Sequence, residues 1–393
     1  MKNIEENAGL CALNRIFGFT PKTAHAIISE MGDAASIFRL PQKDIDDILG
    51  PYSRHKGRIC LRAYEDALKE LEDLQKRGIR FIGCTDLCFP ELLKDCDDSP
   101  IGLYFCSCSP VEDIFAGRRN IAVVGTRDIS PYGKEWCRNI VKAISSASSY
   151  QASIISGLAL GTDFHAHSAA LEAGTPTIAV MATGPESIYP SRHRAFAERI
   201  ASTPGCALIT DYPPGTAPLA LHFLRRNRII AGMSEATILI ESKLRGGGMT
   251  TARLAFSYNR EVFALPGRVD DLKSQGCNKL IQEKTAEPIT DITNLLSSIN
   301  MKPQKEMRRL TSKELIESTY GKTMPPDSLE LIHSIFETIR QNRGITINDI
   351  CSTINIVYST ASAMINILET DGIISVDILQ RCCVNARKSE LFI

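Results

Sequence analysis

Apolar residues recur with two different periods along the chain. Before about residue 80, runs such as PKTAHAIISEM carry them at helical spacing, without a strand pattern. From residue 81 to 298, short runs rich in Val and Ile, such as NIAVVG, TPTIAVM and ATILIES, alternate with segments of helix length. This alternation predicts βα units and a mainly parallel sheet covered by helices on both faces. The predicted fold class is therefore α/β, with a helical domain over residues 1–80 and a sheet domain over residues 81–298.

The C-terminal part has a third pattern. Residues 299–325 are charged and contain Pro and Gly, which predicts a linker. Over residues 326–393, three helix patterns precede a strand hairpin with Gly372 at its turn, which predicts a winged-helix domain. Its third helix pattern, YSTASAMINILE, contains neither Lys nor Arg, whereas helices that read the major groove usually carry one. We therefore expect this domain to contact protein rather than DNA.

The first domain contains LNRIFGFTPKTAHAII, which is similar to a helix-hairpin-helix, a motif whose two hairpin glycines present amides to a DNA phosphate. Gly18 is present, but Thr20 takes the place of the second glycine. We expect a small domain of the helix-hairpin-helix or SAM type with a structural or protein-contacting role.

Composition and charge narrow the class of protein. The 393 residues include no apolar run near the roughly 18 residues of a membrane span, and 13 scattered cysteines form no disulfide-like or zinc-like framework. We expect a cytoplasmic protein without a metal or a membrane contact. The net charge is zero, yet from Arg225 to Arg260 seven basic residues and two acids give +5. A polyanion should therefore bind the middle of the chain.

Loops with glycine follow several predicted strands, whose carboxyl ends form the ligand-binding edge of a parallel sheet. VVGTR has a single glycine and does not match the dinucleotide fingerprint, but it offers Gly125, Thr126 and Arg127 to a phosphate. Alternatively, Arg127 pairs with a carboxylate of its own domain.

The SGLALG loop precedes a predicted helix whose free amides can receive an anion. It offers Ser156, Gly157 and Gly161 to such a ligand. Asp163 and His167 lie four residues apart on that helix, which favours a hydrogen bond between them over a metal site.

The helix pattern HFLRRNRIIAG carries four polar residues for a phosphate backbone, Arg225, Arg226, Asn227 and Arg228. Arg225 and Arg228 would share one helix face with Arg226 turned away, so one arginine of the three is available to the fold instead. A solvated basic face is the alternative.

The loop RGGGMTTA combines close backbone approach with hydroxyls and positive charge. Its binding candidates are Lys243, Arg245, Gly246, Gly247, Gly248, Thr250 and Thr251. No Walker pattern is present, so neither ATP hydrolysis, a catalytic residue nor a cofactor is predicted. Several anion-receiving loops at one sheet edge suit a chain of phosphates better than one nucleotide. The nearby aromatic residues that could stack on bases are Tyr212, Phe223, Phe256 and Tyr258.

In this order, the motifs VVGTR, SGLALGTDFHAHSAALEAGTPTIAV, FLRRNRIIAGMS, ESKLRGGGMTTA, REVFALPG and SQGCNKLI resemble the DprA/Smf family of bacterial DNA-processing proteins. The resemblance covers about residues 81–290. It implies an extended Rossmann-like domain that binds single-stranded DNA, self-associates as a homodimer, protects incoming DNA and loads the RecA recombinase during natural transformation. It also implies a DNA groove along Arg127, along Arg226, Asn227 and Arg228, and along residues 245–248.

Two other functions remain open. One is a Rossmann-like nucleotide phosphoribohydrolase of the lysine-decarboxylase-like group, which carries a similar glycine loop. Such an enzyme needs a glutamate shortly after the loop, and here none follows Gly248 before Glu261. The other is a winged-helix transcription factor, which the acidic C-terminal part, with eight acids against five basic residues after residue 326, disfavours.

Overall fold

The computed structural model describes residues 2–50, 52–115, 117–147, 152–301, 312–321, 323–342, 344–377 and 380–384. The chain forms two compact units, Met1–Gln304 and Lys305–Ile393. The boundary between them lies within the predicted linker. No single helix among the described residues is long and apolar enough to cross a membrane, although the bent pair Ile347–Ile354 and Tyr358–Thr370 reaches that threshold by length and composition alone.

The first unit is built on a nine-stranded sheet with the order β1-β2-β6-β5-β4-β3-β7-β8-β9. Its strands are β1 (Ile79–Gly83), β2 (Gly102–Cys106), β3 (Arg119–Val124), β4 (Ala152–Ser156), β5 (Thr177–Val180), β6 (Ala207–Thr210), β7 (Ala236–Leu239), β8 (Glu261–Ala264) and β9 (Glu287–Pro288). The pairs from β6 to β9 are parallel, whereas β1 pairs antiparallel with β2 and β2 antiparallel with β6. The predicted mainly parallel α/β sheet is confirmed.

Helices cover the sheet and form the N-terminal part of the same unit. They are α1 (Lys2–Phe17), α2 (Pro21–Met31), α3 (Gln42–Leu49), α4 (Leu61–Lys76), α5 (Glu91–Lys94), α6 (Val111–Phe115), α7 (Pro131–Ser146), α8 (Thr162–Glu172), α9 (Arg194–Ser202), α10 (Ala220–Gly232), α11 (Gly247–Ser257), α12 (Gln275–Gln282) and α13 (Ile292–Ser298). Short 3-10 helices add Ser36–Arg39 and Ser191–His193.

The central strand β3 shows how the pattern of the sequence makes the layers. Successive side chains of a strand point to opposite faces, so Ala122 and Val124 enter one core while Ile121 and Val123 enter the other. A strand buried on both faces needs a continuous apolar run, and IAVV supplies it. The first of these cores continues into the N-terminal helices through residues such as Leu13, so α1–α4 share a core with the sheet.

The loop after β3 lies where the strand order reverses. From β3 the chain adds β4, β5 and β6 on one side, then returns to place β7, β8 and β9 on the other. A crevice opens at such a switch point, outside the carboxyl ends of the two strands that flank it. The loops after β3 and β7 are VVGTR and ESKLRGGG, so two predicted phosphate loops meet there.

The second unit consists of α14 (Ser312–Tyr320), α15 (Pro326–Gln341), β10 (Ile345–Thr346), α16 (Ile347–Ile354), α17 (Tyr358–Thr370), β11 (Ile374–Val376) and β12 (Arg381–Val384). Helix α14 lies in the segment predicted as a linker. The strands pair antiparallel in the order β10-β12-β11. Gly372 follows α17 with a φ of 63° and does not lie in the turn between β11 and β12, contrary to expectation. The assignment as a winged helix stays a prediction.

Candidate nucleic-acid interface

A cleft of about 650 Å³ opens at the carboxyl ends of β3 and β7, bounded by two rims of different chemistry. One rim consists of the loops after these strands and contributes Gly125, Thr126, Arg127, Lys243, Arg245, Gly246, Gly247, Gly248 and Thr251. The other belongs to α10 and its neighbours and contributes Tyr189, Pro218, Ala220, Phe223, Leu224, Arg226 and Asn227. One cleft therefore gathers predicted binding residues from three of the four motifs, while the SGLALG loop contributes Ala159 but none of its candidates.

The glycine loop brings the start of α11 to the cleft. Gly246 is the N-cap and Gly247 the first helical residue, so the amides of the first turn point out of the helix toward the cleft. A Cβ on Gly248 would lie 2.7 Å from Leu239 Cδ1 and 3.1 Å from Gly125 Cα, whereas one on Gly247 would meet nothing within 4 Å. Only glycine at 248 lets the two phosphate loops touch.

The VVGTR loop is fixed from behind by the start of α8. The carbonyl oxygen of Thr126 accepts hydrogen bonds from the Thr162 amide at 3.0 Å and from Thr162 Oγ1 at 3.2 Å. Gly161 has a φ of 75°, and a Cβ there would lie 2.3 Å from that carbonyl oxygen. Arg127 is left exposed, with its guanidinium carbon 5.4 Å from the centre of the Phe223 ring.

Arg226 forms the floor of the cleft. Its Nη1 donates to the carbonyl of Gly157 at 2.6 Å and to the carbonyl of Val180, and only 4% of the residue is exposed. Burial lowers the pKa of this guanidinium to about 10, and the nearby carboxylate of Asp163 opposes that shift. Its five donors are used partly by the fold, so it contributes charge to the cleft more than free hydrogen bonds.

The structure turns Arg225 and Arg228 away from the cleft. Arg225 donates to the carbonyl of Gly18 and lies over the Phe19 ring, 4.3 Å from its centre. Arg228 Nη2 pairs with Asp211 Oδ2 at 2.5 Å, and only 5% of its side chain is exposed. The expected orientation is therefore reversed: Arg225 and Arg228 face the protein, whereas Arg226 lines the cleft. All three arginines bond to groups of the fold. The hairpin similar to a helix-hairpin-helix packs against α10 through these contacts, and its role stays a prediction.

The SGLALG loop does not face the cleft as an anion site. Ser156 is buried and donates to the Val123 carbonyl at 2.7 Å, and the Gly157 carbonyl accepts from Arg226. At the start of α8, the carboxylate of Asp163 already accepts the Ala159 amide at 3.3 Å. The carboxylate of Asp163 thus occupies the position at the start of α8 where the sequence predicted a bound anion.

The predicted bond between Asp163 and His167 is wrong. His167 Nδ1 instead lies 2.7 Å from the hydroxyl oxygen of Thr177, which donates to the Ile154 carbonyl. Complete burial lowers the pKa of this imidazole to about 3, so it is neutral at physiological pH. The sequence showed the helical spacing of the two side chains but not the strand residue that the histidine meets.

Thr250 and Thr251 separate. Thr251 is buried beneath the loop, and its hydroxyl donates to the Gly247 carbonyl at 3.5 Å. Thr250 lies on the far side of the loop, in a depression that it shares with Arg245 and Arg253.

Sequence analysis did not identify Glu241, an acid with a structural role. Its carboxylate accepts the Ser130 amide at 2.9 Å and links the start of α7 to the end of β7.

Aromatic side chains mark the α10 rim. Tyr189 is 46% exposed, and its ring lies edge-on to Phe223 with the two centres 5.3 Å apart. Of the stacking candidates, Phe223 reaches the cleft, whereas Tyr212 is buried and Tyr258 donates to Asp98 Oδ1 at 2.7 Å. Sequence analysis did not count Tyr189 as a stacking residue, although the pair Tyr189 and Pro190 is one of the motifs that resemble the DprA/Smf family.

Comparison with known proteins gives a consistent result. Residues 80–300 match the family described as DNA recombination-mediator protein A. Protein Smf of Synechocystis is 35% identical over 233 residues, which are 59% of this chain and 57% of that protein. DNA processing protein DprA of Streptococcus pneumoniae is 36% identical over 198 residues, 50% of this chain and 67% of that protein. This chain therefore spans just over half the length of the Synechocystis relative.

A solved structure shows the same architecture. The X-ray structure of DNA processing protein A from Streptococcus pneumoniae superimposes with a TM-score of 0.58 at 30% identity, over 75% of this chain and 95% of that one. The matched region contains both rims of the cleft and the ordered motifs that resemble the DprA/Smf proteins. The chain belongs to the DprA/Smf family, that of DNA recombination-mediator protein A.

Proposed function

We propose that the cleft binds single-stranded DNA, with phosphates on the rim of the glycine loops and bases on the α10 rim. The observation that carries this proposal is the difference between the rims. One has exposed cations and helix-start amides, and the other has exposed aromatic and apolar side chains.

The loop rim suits a phosphate backbone. Arg127, Lys243 and Arg245 are exposed, and an arginine fork can bond two oxygens of one phosphate. The first amides of α11 add donors at the positive end of a helix. Burial raises the pKa of the Asp163 carboxyl on the floor, and the buried cation of Arg226 beside it opposes that shift.

The α10 rim favours a single strand over a duplex. Bases stack on aromatic rings with little regard to sequence, and Phe223 and Tyr189 offer such surfaces. In a duplex the base faces are already stacked on each other, so only the phosphates could use the cleft. A single strand can use both rims.

Membership of the DprA/Smf family supports a proposal for the role of the protein in the cell. We propose that the protein acts in DNA processing during natural transformation and recombination, protects incoming single strands in the cytoplasm, and hands them to RecA. A homodimer would place two clefts on one strand, which raises the affinity through the effective concentration of the second site. The second unit is proposed as a protein-contacting winged helix.

The phosphoribohydrolase alternative has less support in the geometry. Among the described residues lining the cleft, Asp163 is the one carboxylate, and it already accepts a backbone amide. Glu261, the first glutamate after the glycine loop, begins β8 and so lies at the opposite end of the strands from the cleft. A general acid must reach the reacting atom within hydrogen-bond distance.

The test measures fluorescence anisotropy of labelled oligo(dT) and of a duplex of equal length across a salt series. We expect tighter binding of the single strand. The Arg127→Ala variant should lower the slope of log K against log salt by about 0.7, the amount for one phosphate contact on a single strand. Arg62→Ala, an exposed arginine on α4, is the matched control and should leave the slope unchanged.

Equal affinity for the duplex would overturn the assignment of bases to the α10 rim. Absence of binding to either nucleic acid at low salt would overturn the proposal altogether. Release of free base from nucleoside monophosphates would then be measured for the enzyme.

A further inference from the structure

A second groove, of about 880 Å³, runs along the free edge of β1. β1 is the first strand in the sheet order and pairs only with β2 among the described strands, so its other edge is open. Five strand spacings separate β1 from β3, or about 24 Å. The groove is therefore distinct from the proposed DNA cleft.

The pairing register shows which backbone groups face this groove. The Cys84 amide donates to the Ile101 carbonyl at 2.8 Å, which fixes the alternation of the antiparallel pair. Residues 80 and 82 consequently bond to β2, while Ile79 and Phe81 direct their amide and carbonyl groups outward. Within the described part of the chain, the backbone of Phe81 has no hydrogen-bond partner on that side.

The groove has an apolar wall on each side of the strand edge. Leu68 and Leu71 of α4 line one side, and Phe105 and Val111 line the other. An extended chain laid against β1 would point alternate side chains into these two walls. This is the geometry by which a peptide adds a strand to a sheet, with main-chain bonds for affinity and side pockets for specificity.

The charges along the groove select its occupant. Glu72, Asp86 and Glu112 line it, and among the described residues none of the three is in an ion pair. One cation, Arg80, lies over the Phe105 ring of the groove wall and donates to the Ser107 carbonyl at 3.2 Å, so three carboxylates face one guanidinium. The groove is therefore acidic. A second copy paired edge to edge would bring two acidic rims together, whereas a basic segment would be attracted.

We propose that this groove binds an extended segment of a partner protein as an added strand beside β1, with apolar residues at alternate positions and basic residues at both ends. The partner segment supplies the amides and carbonyls that the outward groups of Ile79 and Phe81 require. Such a site holds a partner protein at the β1 edge of the sheet. The cleft at the carboxyl ends of β3 and β7 remains open to DNA.

The probe is a fluorescein-labelled peptide of alternating valine and threonine with lysine pairs at both ends. We expect it to bind the full chain and to slow hydrogen exchange of the Ile79 and Phe81 amides. The double variant Glu72→Lys/Glu112→Lys, at two exposed positions, should weaken binding about tenfold, because two attractions become repulsions. The control Asp44→Lys/Asp47→Lys makes the same change of charge on α3, whose residues do not line the groove, and should leave the affinity unchanged.

Three outcomes would overturn the proposal. One is equal binding of a peptide whose alternate amides are N-methylated, since it cannot form the strand bonds. Another is equal binding of the peptide by the Glu72→Lys/Glu112→Lys variant. The third is slow hydrogen exchange of the Phe81 amide at high protein concentration without peptide, because that result would mean that a second copy of the chain covers the edge. Oligo(dT) binding by the same variant should match the wild type, so failure here is separate from failure of the DNA proposal.

Discussion

Replacing Arg228 by alanine tests whether the basic run of α10 serves the fold or the DNA. The substitution removes the cation of an ion pair whose side chains are 5% and 4% exposed, and it also removes the bond from Arg228 Nη1 to the Asp98 carbonyl at 2.5 Å. The carboxylate of Asp211 then stays buried without its partner. Breaking one side of a buried pair costs about 3–5 kcal/mol, so we expect the free energy of unfolding to fall by about that amount.

The assay is urea denaturation of the full chain followed by fluorescence of Trp136. This is the single tryptophan of the sequence, and it lies in α7 of the same unit, so its signal reports the unit that contains the pair. The exposed arginine variant Arg62→Ala is the control and should change stability by less than about 0.5 kcal/mol. Replacing both partners, Arg228→Met with Asp211→Leu, should be more stable than Arg228→Ala because no buried charge is left alone.

The result that refutes this reasoning is specific. If Arg228→Ala keeps the stability of the wild type and instead lowers the salt slope of oligo(dT) binding by about 0.7, Arg228 contacts a phosphate. The buried ion pair would then be the wrong description of this side chain.

Three further predictions concern the cleft and the sheet behind it. Gly248→Ala should weaken oligo(dT) binding in anisotropy titrations because its Cβ would lie 3.1 Å from Gly125 Cα and 2.7 Å from Leu239 Cδ1, and unchanged binding would contradict this. Phe223→Ala should cost about 1–3 kcal/mol of oligo(dT) affinity if one base stacks on the ring, and no loss would remove the ring from the interface. Burial lowers the pKa of His167 to about 3, so protonation favours the unfolded chain and stability falls as pH drops from 6.5 toward 3. His167→Gln should lose less stability across that window in urea titrations.

The sequence predicted those features of the fold that depend on short runs of neighbouring residues. Short runs of Val and Ile between helix-length segments permit little besides a parallel sheet, and glycine loops after such strands must lie at its carboxyl edge. VVGTR and RGGG accordingly meet in one cleft, with Arg127 and Gly248 on the same rim. The strand order was not readable, because it depends on which strands pair and not on any one run.

Contacts between distant parts of the chain account for the corrections. Arg225 reaches a carbonyl at Gly18, 207 positions away, and Arg228 finds its carboxylate at Asp211. On a helix these two residues share a face, as the spacing indicated, but nothing local states whether that face meets solvent or protein. The sequence likewise predicted that the start of α8 could bind an anion. In the folded protein the carboxylate of Asp163 accepts the Ala159 amide there instead.

The run from Arg225 to Arg260 supplies part of the cleft, but its local charge is not the reason. Of its seven basic residues, Arg225, Arg226, Arg228 and Arg260 are engaged with carbonyls or carboxylates of the fold. The exposed cations of the cleft are Lys243 and Arg245 from the run and Arg127 from outside it. Counting charge along the chain thus overstates what a polyanion meets, while the glycine loops concentrate a few cations and free amides at one sheet edge. The proposed DNA binding is compatible with a net charge of zero, because a polyanion responds to the local potential at that edge and not to the total charge.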